Sequence, residues 1–104
     1  MYAVIFHAEV AQFDEEYFAM ARRMRERALT DYGCIDFIAN TEGSHEIAIS
    51  YWPSLEHIRR WKQDTDHLHA QQLGKSRWYK SYKVDVVEIL RSYATAQHAI
   101  NPEQ

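Results

Sequence analysis

Between Ile47 and Tyr82 the chain carries Trp52, Trp61 and Trp78, Tyr51, Tyr79 and Tyr82, and His57, His67 and His69, all within 36 residues. Aromatic rings at this density offer surfaces on which a flat ligand can stack, and imidazoles titrate near neutrality. A further histidine, His7, falls in the middle of an N-terminal apolar segment, where a covered imidazole needs a partner. A dedicated metal site is not indicated. His67 and His69 are two apart, which on a helix turns them away from one another, and no HxxxH or CxxC pair exists. The sequence also lacks a glycine-rich phosphate loop, a nucleophile elbow and a convincingly spaced pair of carboxylates.

These residues must be held by regular elements, and the hydrophobic periodicity supplies them. Tyr2–Val10 alternates with apolar residues in both phases, the pattern of a central strand covered on both faces. Asp14 can cap a helix whose first turn holds Glu15 and Glu16 and whose apolar stripe is Tyr17, Met20 or Ala21, Met24 and Ala28. Gly33 ends the connection. Cys34–Asn40 reads as a strand, and the short glycine-bearing link from Thr41 to His45 makes a hairpin with the strand carrying Ile47, Ile49 and Tyr51. Pro53 stops that strand and Ser54 caps a helix through Leu55, Ile58 and Trp61. Asp64, Thr65 and Asp66 suggest the cap of a second helix containing His67, Leu68, Ala70 and Leu73, ended by Gly74. A last strand runs from Tyr82 to Tyr93, with a phase slip at Val86 and Val87 that suggests a bulge.

The predicted order is strand, helix, strand, strand, helix pair, strand. It matches the α+β ferredoxin-like βαββαβ arrangement, an antiparallel sheet with its helices on one face. Residues 1–93 form the expected domain and 94–104 a polar tail. Helices on one face leave the apolar residues of the other without cover, so a homodimer with facing sheets is expected. A formal net charge of −3 argues against a nucleic-acid partner, and the Arg22, Arg23, Arg25 and Arg27 cluster, set among glutamates, reads as a solvated helix face. No run approaches the ~20 apolar residues of a membrane span. Cys34 is the only cysteine, so no intrachain disulfide can form, and a reducing cytoplasm is the expected location.

The opening strand VIFHAEV, the GCIDF entry to strand two, the SYWPSLEHIRRWK block with Trp61, and HLHAQQLGKSRWYKSYKVDVVEIL together resemble the antibiotic biosynthesis monooxygenase family, small dimeric α+β barrel proteins. The resemblance spans residues 2 to about 93. It implies a pocket for a small aromatic ligand and, in one branch of the family, oxygenation of phenolic or quinone-type metabolites without metal or flavin. Under that implication His7 or His67 takes a proton, Asn40 and Arg77 hold substrate oxygens, Trp61 stacks on the ring, and Tyr51 or Tyr82 lines the pocket. Each also has an ordinary reading, as a core indole, a turn asparagine, a helix-end histidine or a satisfied strand histidine. No cofactor is expected. A haem-degrading branch uses an Asn, Trp, His triad whose positions here hold His7, Trp61 and Gln71, so only the Trp is retained unless His67 or His69 supplies the ligand. A non-catalytic ligand-binding or stress-related module is the further alternative.

Overall fold

The computed structural model describes residues 1–72 and 78–96, with the side chains of 67–72 outside the description. Its elements are β1 (Tyr2–Val10), α1 (Glu15–Asp31), β2 (Asp36–Glu42), β3 (His45–Trp52), α2 (Leu55–Gln72) and β4 (Tyr79–Glu88). The strands form one antiparallel sheet in the order β2-β3-β1-β4, so β1 is central, as its two-sided apolar pattern requires. The fold is the ferredoxin-like α+β arrangement.

Local chemistry explains the boundaries. Asp14 accepts a hydrogen bond from the Tyr17 amide at 2.8 Å and starts α1. Ser54 does the same for α2: its hydroxyl oxygen accepts from the His57 amide at 3.3 Å and lies 2.6 Å from His57 Nδ1. Gly43, at φ 60°, makes the tight hairpin between β2 and β3.

Even-numbered residues of β1 face the helices. Val4 packs with Ala28 of α1 and Ile58 of α2 beside Trp52 and Cys34, while Ala8 and Val10 pack with Tyr17, Met20, Trp78 and Tyr79. Odd-numbered residues face the side that no helix covers. There Ile38 and Ile47 are exposed, at 52% and 43%.

Three expectations change. The predicted helix pair is the continuous α2, because the supposed capping residues find partners away from the backbone amides. Thr65 Oγ1 donates to the Lys62 carbonyl at 2.9 Å, Asp64 meets Arg27 of α1 at 2.7 Å, and Asp66 lies 3.3 Å from Lys62 Nζ. The last strand starts at Tyr79 and ends at Glu88, earlier at both ends than predicted. Its irregularity is not at Val86 and Val87: the β1–β4 register slips at Lys80, where Glu9 pairs with Ser81 but Val10 pairs with Tyr79. The slip puts Tyr79 and Tyr82, three apart in sequence, on the same helix-facing side, with ring centroids 5.7 Å apart. Beyond the strand, Ile89 N–H donates to the Met1 carbonyl at 2.9 Å, and Leu90 and Tyr93 then stand 88% and 85% exposed. Of the expected tail, residues 97–104 lie outside the description.

Candidate functional site

Between the helices and the helix-facing side of the sheet lies a cavity of about 400 Å³, within the size range of small-molecule sites. The sheet contributes Val4 and Phe6, Phe37 and Ala39, Ala48 and Ser50, and Tyr82, Val84 and Val86. These are successive same-side rows, since Val4 pairs with Ser50 and Val86, and Phe6 with Ala48 and Val84. From α1 come Phe18, Ala21, Arg22, Met24 and Arg25, and from α2 Ile58, Trp61, Lys62, Thr65 and Asp66. The Trp61 indole lies 5.0 Å from the Trp52 ring and 6.1 Å from that of Phe37, and its N–H donates to the Met24 carbonyl at 3.2 Å. It is thus both a packing residue and a fixed wall of the cavity.

A carboxylate breaks the apolar lining. Glu46 on β3 occupies the row of Ala8 and Tyr82, half-buried, and accepts a 2.5 Å hydrogen bond from the Tyr17 hydroxyl. Tyr17 is fully buried. Burial, and then the bond to Glu46, push its phenol pKa well above the ordinary value, so it stays a protonated donor. Burial likewise pushes Tyr79 up to about 12. The arrangement fixes one carboxylate edge and turns the group toward a space lined by rings. It can accept a proton or a hydrogen bond from a ligand hydroxyl.

No family model matches the chain. The uncharacterized protein YqjZ of Bacillus subtilis (strain 168) is 35% identical over 92 residues, covering 86% of this chain and 80% of the relative. The chain belongs to the YqjZ family. Solved structures share its fold at lower identity. A mutant of SnoaB, a cofactor-independent oxygenase from Streptomyces nogalater, superposes with a TM-score of 0.70 at 15% identity, covering 88% of this chain and 94% of its own. A structure described as an antibiotic biosynthesis monooxygenase superposes at 0.67 with 13% identity, covering 88% and 100%. The family resemblance read from the sequence is therefore supported as a likeness of fold, alongside sequence kinship to YqjZ.

In this YqjZ-family chain the residues expected to form one site divide between two sides of the sheet. Trp61 and Tyr82 line the cavity. His7 and Asn40 share a row on either side of Ile47, and Tyr51 pairs with Ala3, all three at positions facing away from the helices. His7 is exposed, and its ring lies 5.5 Å from that of His45. The reason is the two-residue period: it assigns side chains to two faces but does not say which face the helices take. The His67 side chain and Arg77 lie outside the description, as do the side chains of His69 and Gln71. None of the described cavity-lining residues is a histidine or cysteine, so a histidine or thiolate ligand for haem would have to come from beyond them. Among the described residues no cluster could hold a metal ion, and no described helix is long and apolar enough to cross a membrane.

Two features of the site were not expected from sequence. Glu46 reads as a polar residue next to a hairpin, and its only signal is that it shares a phase with Ala48 and Ser50. Arg22 and Arg25, read as solvated, border the cavity, and Arg27 is paired with Asp64. Cys34 behaves as expected of a small buried residue: burial pushes its thiol up to about 11, the opposite of an activated nucleophile.

Proposed function

We propose that the chain is a small oxygenase of the antibiotic biosynthesis monooxygenase type, acting on a phenolic or quinone-type metabolite without a bound cofactor. The observation that carries this reading is the Glu46 carboxylate, bonded to the Tyr17 hydroxyl and lining a cavity rich in aromatic rings. The fold it shares with SnoaB, described as a cofactor-independent oxygenase, agrees with it.

In this reading the substrate stacks beside Trp61 and its hydroxyl gives its proton to Glu46. The resulting phenolate is electron-rich and transfers an electron to dissolved oxygen, and the two radicals then combine at carbon. The overall change turns an activated methylene into a carbonyl. One oxygen atom of O2 enters that carbon and the other leaves as water with its two hydrogens, so the substrate supplies all the electrons. The base is Glu46 rather than His7, and Asn40 and Tyr51 have no part in the cavity. The active form is a twofold dimer, in a reducing cytoplasm, with the helix-free sheet faces packed together. The exposed Ile38 and Ile47 support the pairing of these faces.

Oxygen uptake measured with a varied panel of phenols that carry an activated methylene, anthrone-type phenols among them, tests the reaction. Uptake with one of them, lost in E46Q, is the expected result. Binding without any uptake would make the protein a ligand-binding module instead.

A further inference from the structure

The charged groups around the cavity are unevenly committed. Lys62 is paired with Asp66 at 3.3 Å, and Glu46 is held by Tyr17. On α1, Arg27 is engaged by Asp64 at 2.7 Å. Arg22 and Arg25 have no carboxylate partner among the described residues, yet both border the cavity. Three residues apart, they project from the same side of the helix. Arg25 is further oriented by the Phe37 ring, with its guanidinium carbon 5.8 Å from the ring centroid. Two guanidinium groups at the edge of an apolar cavity suit a planar anion with two oxygens.

Their position along α1 sets the scale of the ligand. Tyr17 marks the Glu46 end of the cavity. At 1.5 Å per residue, Arg22 and Arg25 lie roughly 7.5 and 12 Å further along the helix. We infer that the cavity takes a phenolic carboxylic acid of two or three fused rings, its carboxylate at Arg22 and Arg25 and its hydroxyl at Glu46. This rests on the cavity and the Glu46 acceptor of the preceding reading, but not on any reaction with oxygen.

Isothermal titration calorimetry with 6-hydroxy-2-naphthoic acid, its methyl ester and 2-naphthoic acid tests the inference on the full chain. The wild type should bind the hydroxy acid roughly tenfold more tightly than the ester, as expected for charge-assisted bonds at a partly exposed site. R22Q/R25Q should lose that preference while binding the ester as the wild type does. E46Q should lose the preference for the hydroxy acid over 2-naphthoic acid. Both arginines are exposed, so an unchanged melting temperature is expected, and the single variants R22Q and R25Q, each with a partial loss, give the same readout if the pair misfolds. Equal affinity for acid and ester, a preference that survives in R22Q/R25Q, or no binding of any probe would overturn the inference. Failure of oxygen uptake alone would remove the oxygenase and leave the acid preference standing.

Discussion

Replacing Glu46 by glutamine preserves the shape of the cavity wall and an acceptor for the Tyr17 hydroxyl, but removes the proton acceptor. Oxygen uptake by E46Q should fall about 100-fold, the scale of a lost general base, with little change in melting temperature. The buried tyrosines make a separate prediction about pH. The folded state holds the Tyr79 proton up to about 12 against an ordinary 10.0, and Tyr17 is raised in the same direction. Between those values the unfolded chain releases protons that the folded chain keeps. The stability these groups contribute is therefore complete below pH ~10 and is lost as pH rises through the folded value. Urea unfolding at pH 9 and pH 11 should show the loss, and Y79F should reduce it, leaving the part that Tyr17 contributes. At this scale the sequence was only partly legible. Trp61 and Tyr82 could be selected by ring type and helical or strand phase, whereas His7 and Asn40 drew notice by chemistry alone and face the other way. Glu46 looked ordinary because its importance comes from Tyr17, 29 residues away.

Gly33 and Gly43 show how tightly the elements are joined. Both have positive φ, at 78° and 60°, but a Cβ at Gly33 would come within 2.9 Å of the His57 ring, while nothing lies near Gly43. His57 cannot easily move aside, because its Nδ1 is held 2.6 Å from the Ser54 hydroxyl. G33A should therefore cost roughly 1 to 3 kcal/mol, and G43A about 1 kcal/mol from backbone strain alone, as measured by chemical denaturation. Equal losses would mean that the contact with His57 is unimportant. Element types and order were legible because apolar periods and capping residues are local. The continuity of α2 was not, since Asp64 and Thr65 resemble a cap until Arg27 of α1 and the Lys62 carbonyl engage them. The true start of β4 was hidden as well, because the register shift at Lys80 depends on its pairing with β1.

The whole molecule has one side of its sheet under helices and the other bare, with Ile38 and Ile47 exposed. Analytical ultracentrifugation at micromolar concentration should find a dimer, and I47E should shift it to monomer by placing a charge in the shared face. A wild-type monomer would remove the proposed pairing. The exposed Leu90 and Tyr93 extend the same apolar character past the end of β4. Lys80 has a subtler effect on the chain as a whole. It is a surplus unit in an otherwise even count, so a chain without it would regain a regular ladder with Tyr79 still opposite Val10 and still turned inward. Natural length variation at this joint should consequently be silent when one residue is lost, whereas one residue gained between Tyr79 and Tyr82 would, unless it joined the bulge, carry Tyr79 beyond Val10, the last residue of β1.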